Sequence, residues 1–103
     1  MQRVTLVRYT TKPDSTDENE QLSRAVFDEV RRNQPKHIAY AVFRDGDEFV
    51  HLFVNLAEDS SDAVTGLASF DRYQEKIRER SVAPPEPIRV VTQLVDSYGF
   101  ATA

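Results

Sequence analysis

From Arg3 to Tyr9, polar and basic side chains alternate with β-branched and aromatic ones, the period of a half-buried strand, and Lys12-Pro13-Asp14 then marks a turn. Ser15-Thr16-Asp17-Glu18 has the spacing of a capping box, in which the first hydroxyl satisfies a free backbone N–H and the Glu reaches back, so a helix is predicted to start there. Leu22, Ala25, Val26 and Val30 recur at helical spacing with Phe27 widening the arc, while Glu20/Arg24 and Asp28/Arg32 form i,i+4 pairs on the wet side. The helix should end near Gln34, because a residue before proline is pushed away from helical geometry.

Two apolar stretches, His37 to Phe43 and Glu48 to Leu56, flank Arg44-Asp45-Gly46-Asp47 and predict a β-hairpin. With Asp45 and Gly46 as a type I′ turn centre, Phe43 falls opposite Glu48, Tyr40 opposite His51 and Ile38 opposite Phe53. Ala57 to Thr65 reads as a polar connection, and Ser69 as the N-cap of a second helix with Phe70, Tyr73 and Ile77 on its apolar side. Pro84-Pro85 and Pro87 make Ser81 to Pro87 an extended crossing, Ile88 to Ser97 reads as a fourth strand, and the tail from Gly99 is expected to fray unless a partner subunit holds it. The order βαββαβ packs most economically as a ferredoxin-like α+β domain over 1–103, a four-stranded antiparallel sheet with two helices on one face.

That arrangement leaves one sheet face uncovered, and both faces are apolar. One face of the hairpin carries Ile38, Tyr40, Val42, Phe49, His51 and Phe53, and the other Ala39, Ala41, Phe43, Val50, Leu52 and Val54. A soluble monomer rarely exposes so large an apolar patch, so a second copy of the chain packed sheet against sheet is the expected remedy.

Composition narrows the function classes. Among 103 residues, 40% hydrophobic and 29% charged describe an ordinary globular chain, and the absence of cysteine excludes disulfides, thiolate nucleophiles and Cys-ligated metals. No signal peptide or membrane-spanning run is evident, which predicts a cytoplasmic protein without a membrane partner. A net charge of −4 argues against nucleic acid as a partner. Phe49 to Phe53 is similar to the base-stacking strand of RNA-recognition domains, but it lacks their basic and glycine residues and Asp47-Glu48 would repel phosphate.

Leu6-Val7-Arg8-Tyr9, Arg24-Ala25-Val26-Phe27, Ile38-Ala39-Tyr40, Phe49-Val50-His51, Leu67-Ala68-Ser69-Phe70 with Tyr73-Gln74, Pro84-Pro85 and Ser97-Tyr98-Gly99-Phe100 together resemble small members of the dimeric α+β barrel superfamily, close to antibiotic biosynthesis monooxygenase-like domains. The resemblance implies that fold, a homodimer and, by analogy with relatives that oxidise polycyclic phenols to quinones, oxidation without a cofactor. Heme-degrading relatives use an Asn, a Trp and a histidine ligand; this chain has no Trp, and its histidines fall on the second and third strands.

His51 interrupts an apolar strand beside Tyr40 and could act as a base toward an acidic phenol. A lone strand histidine more often serves structure, bonded to a neighbour or at a subunit contact, and both roles stand for it. Tyr9, Tyr40, Phe53, Phe70 and Tyr73 are candidates to line an apolar pocket, although aromatic residues at such spacings more often fill a core, and Arg8 to bind an anionic group or a buried carboxylate such as Asp96, although a strand-end surface ion pair is the commoner role. His37 reads as an exposed strand end. The leading reading is a monooxygenase-like dimer that binds a small aromatic or apolar metabolite; the alternative is a non-catalytic ligand-binding or stress-related homodimer.

Overall fold

The computed structural model describes residues 2–56 and 64–99. Most of the connection expected after Leu56 and the tail from Phe100 lie outside the described residues. Four strands, β1 (Gln2–Thr10), β2 (Ile38–Asp45), β3 (Glu48–Asn55) and β4 (Glu86–Thr92), form one sheet in the order β2-β3-β1-β4 with every pair antiparallel. Helices α1 (Thr16–Asn33), α2 (Ala68–Gln74) and α3 (Ile77–Arg80) complete the α+β ferredoxin-like arrangement. No helix among the described residues is long and apolar enough to cross a membrane.

Helix α1 runs to Asn33, with Gln34 in the left-handed region as its C-cap. Its start differs from the capping-box expectation. Pro13–Ser15 forms a 3-10 turn, and Ser15 makes no side-chain cap bond. Thr16 anchors this end instead: its hydroxyl donates to Asp47 Oδ1 at 2.7 Å and lies 2.7 Å from the hydroxyl of Thr11, tying the helix start to the hairpin turn.

The hairpin centres on Gly46 and Asp47, because Asp45 pairs with Glu48, Phe43 with Val50, Val42 with His51 and Tyr40 with Phe53. This register is displaced by two residues from the expected one, so every side chain keeps its face while its direct partner changes. Gly46 has φ of 60° and Asp47 is not left-handed, which is the φ pattern of a type II′ rather than a type I′ turn. A Cβ on Gly46 would meet nothing within 4 Å, so the penalty of substitution lies in the backbone alone. Gly46→Val is expected to cost about 1–2 kcal/mol by urea denaturation. An unchanged midpoint would show that the turn relaxes.

The second helix is broken. α2 caps at Glu75, Lys76 adopts φ of 60°, and α3 starts anew at Ile77. Leu67, not Ser69, stands at the N-cap; Ser69 donates from its backbone N–H (3.0 Å) and hydroxyl (2.6 Å) to Glu29 Oε1, fastening α2 to α1. Strand β4 begins at Glu86, includes Pro87 and stops at Thr92, short of the expected Ser97. Beyond it Val95 and Tyr98 are fully exposed.

Tyr9, Val26, Phe49, Val64, Tyr73 and Ile77 form the buried core between sheet and helices. On the opposite sheet face Phe43, Ile88 and Val90 remain 59%, 60% and 49% exposed.

Candidate functional site

Alternation along the strands decides which side chains meet. Tyr9, His51 and Tyr40 share the helix-facing side of three adjacent strands, and Tyr73 descends onto them from α2. His51 is 6% exposed and uses both ring nitrogens: Nδ1 lies 2.8 Å from the Tyr40 hydroxyl, and Nε2 lies 2.9 Å from that of Tyr9 and 3.1 Å from that of Tyr73. A neutral imidazole has one N–H and one lone pair, so Tyr40 and the Tyr9/Tyr73 pair take opposite donor and acceptor roles toward it. The Tyr9 and Tyr73 hydroxyls also bond each other.

Behind the aromatic groups lies a second polar layer. Asn19 on α1 donates from Nδ2 to the Tyr9 hydroxyl at 2.9 Å and accepts at Oδ1 from Arg80 Nε at 3.1 Å. Arg80 is 5% exposed and has no carboxylate partner among the described residues. It donates to the Tyr73 and Glu75 carbonyls and lies over the Tyr73 ring at 5.6 Å. Those carbonyls belong to the end of α2, where backbone acceptors lack helical partners and the helix dipole favours a cation. With the helix broken at Lys76, Arg80 of α3 thus caps the helix before it.

Burial sets the protonation states. It lowers the His51 pKa from 6.5 to about 4 and raises those of Tyr9, Tyr40 and Tyr73, so all four groups are neutral near pH 7. Because the folded pKa of His51 lies below its unfolded value, the unfolded chain takes up the extra proton first as pH falls. Stability is complete above about 6.5 and declines toward about 4. Lowering the pH from 7 to about 5 is expected to remove about 2 kcal/mol of unfolding free energy, and His51→Gln should abolish most of that slope. Equal slopes in both proteins would assign the acid sensitivity to other groups.

Tyr40, His51 and Tyr73 form one wall of a cleft of about 380 Å³, completed by apolar surface from Val7, Phe53, Val64, Phe70, Ile77 and the β4 proline Pro87. Tyr9 supports this wall from beneath. Arg8, grouped with the pocket on sequence grounds, lies on the other sheet face and pairs with Glu48 at 3.1 Å rather than with Asp96. Adjacent strand residues point to opposite faces, so Arg8 and Tyr9 could not both enter the cleft. His37 is exposed, with φ of 64°. Among the described residues no three His, Asp or Glu side chains stand together as a metal site.

Asn19 and Arg80 join the site without being expected there from the sequence. Thr16, Asn19, Ser23 and Val26 are the buried positions of α1, and their spacing matches one helix face. That spacing was the available signal for Asn19. Arg80 gave none, because the break at Lys76 interrupts the helical period.

The fold is that of antibiotic biosynthesis monooxygenase-like proteins. Rv0793 from Mycobacterium tuberculosis superposes with a TM-score of 0.77 at 16% identity, covering 94% of this chain and 100% of that one. An antibiotic biosynthesis monooxygenase-like protein from Nitrosomonas europaea gives 0.75 at 15% identity over 93% and 94% of the two chains. A single-residue variant of SnoaB, a cofactor-independent oxygenase from Streptomyces nogalater, gives 0.67 at 16% identity over 93% and 98%. No family model matches the chain, and neither does any curated protein.

Proposed function

We propose that this chain is a homodimeric, monooxygenase-like protein that binds a small aromatic or apolar metabolite in the cleft and oxidises it without a cofactor. The observation that carries the reading is the Tyr40–His51 pair at the wall of an apolar cleft, backed by Tyr9 and Tyr73. In this network His51 is the group that can take up a proton, either directly or through the Tyr40 hydroxyl. Burial opposes the imidazolium, but an anion forming on the ligand beside it offsets that penalty. The carbanion or phenolate then reacts with dioxygen: a ring methylene becomes a carbonyl, one O₂ is consumed and one water released. The likeness in fold to SnoaB supports this chemistry.

The test is oxygen uptake with a panel of anthrone-like and quinol substrates in the presence of a chelator, alongside calorimetric binding. Saturable uptake supports the reading. Binding without uptake would favour a carrier over an enzyme, and neither binding nor uptake would remove it.

The exposed apolar face of Phe43, Ile88 and Val90 supports the homodimer, since burying it removes a patch from water at roughly 25 cal/mol per Å². Sedimentation at micromolar concentration is expected to give a species about twice 11.8 kDa, and Val90→Asp to shift it to the monomer. A wild-type protein that sediments only as the monomer would refute the sheet-to-sheet dimer.

A further inference from the structure

The charge of the cleft is opposite to that of the chain. The chain carries 17 acidic and 13 basic residues. The described residues lining the cleft nonetheless include Arg3, Arg78 and Arg89 and no Asp or Glu. The three come from different elements, β1, α3 and β4, and none has a carboxylate partner among the described residues. Arg3 and Arg89 lie on the cleft side of neighbouring strands, where Thr5 pairs with Arg89. Arg78 lines the cleft from α3, which starts anew after the left-handed Lys76. Uncompensated guanidinium groups around one cavity repel each other, and an anion relieves that repulsion.

Taking the cleft as the ligand site proposed above, we infer that its ligand is an aromatic carboxylate. The ring system lies on the apolar surface of Phe53 and Phe70, its reacting edge at Tyr40 and His51, and its carboxylate at the arginine end. Strand geometry sets the scale. Arg3 lies four residues along β1 from Val7, the partner of His51, which is about 13 Å. That span suits two or three fused rings bearing a small planar anion, and a guanidinium fork matches the two oxygens of a carboxylate. The anion also acts on the reacting end, because negative charge in the cleft raises the proton affinity of His51 and makes it a better base.

The test is isothermal titration calorimetry with hydroxynaphthoate, the corresponding hydroxynaphthamide, naphthol and naphthyl phosphate, on wild type and on the Arg3→Gln/Arg89→Gln and Arg78→Gln variants, each with a melting curve. The naphthoate is expected to bind at least about ten-fold more tightly than the amide, since the two differ chiefly in charge. Added salt should shrink that ratio, and the double variant should bring it close to one chiefly by weakening naphthoate binding. Amide or naphthol binding as tight as the naphthoate would overturn the carboxylate inference and leave the ligand-site reading standing. So would a preference for the phosphate, or a ratio that survives in a folded double variant. Binding of none of the four overturns both.

Discussion

Replacing His51 by alanine is expected to lower the unfolding free energy by about 2–4 kcal/mol. The imidazole is the shared partner of three hydroxyls, from Tyr9, Tyr40 and Tyr73, and its removal leaves both a void and buried polar groups short of a bond. Tyr9 and Tyr73 keep each other, and Tyr9 keeps Asn19, so Tyr40 loses most. A volume-preserving change separates the two roles of the residue. His51→Gln retains a donor and an acceptor but cannot take up a proton at ordinary pH. It should lose less than half as much stability as the alanine variant, yet lower any oxygen uptake by about 10²–10⁴-fold. Uptake that persists in a folded His51→Gln protein would make the residue structural only. The acid-induced loss of stability provides an internal control, because it also requires the imidazole.

Arg80→Met should cost about 3–4 kcal/mol despite the similar reach of the two side chains. The guanidinium satisfies the Tyr73 and Glu75 carbonyls at the end of α2 together with Asn19 Oδ1, and methionine offers no donor to any of them. The loss spreads to the cleft wall, since Asn19 positions the Tyr9 hydroxyl, which positions His51. Chemical denaturation measures the cost. The chemical shifts of the His51 ring should also move, although Arg80 makes no contact with it. A midpoint within about 0.5 kcal/mol of wild type, typical of a surface substitution, would mean that water replaces the guanidinium without penalty.

The amino-acid sequence determined the order of strands and helices, the extent of α1, the existence of the hairpin and the face on which each strand residue lies. These follow from local periodicity, and a period of two keeps Tyr40, His51 and Phe53 on one face in either two-residue-loop register, because the two registers differ by an even number of residues. The same parity excludes Arg8 from the cleft and leaves it the surface ion pair that a strand-end arginine usually makes. Periodicity cannot fix distance. Register depends on which two residues make the turn, and Gly46 serves equally as the second centre of a type I′ turn or the first of a type II′ turn. Only the tertiary structure decided the break at Lys76, the cluster around His51 and the arginines of the cleft. Tyr73 reaches His51 across 22 positions, and Arg80 reaches Asn19 across 61. The groups that compensate the burial of Arg80 and Asn19 are carbonyls and side chains outside their own local segment. Nothing in the local sequence distinguishes a charge that faces water from one that caps a distant helix end, because the difference is set by packing.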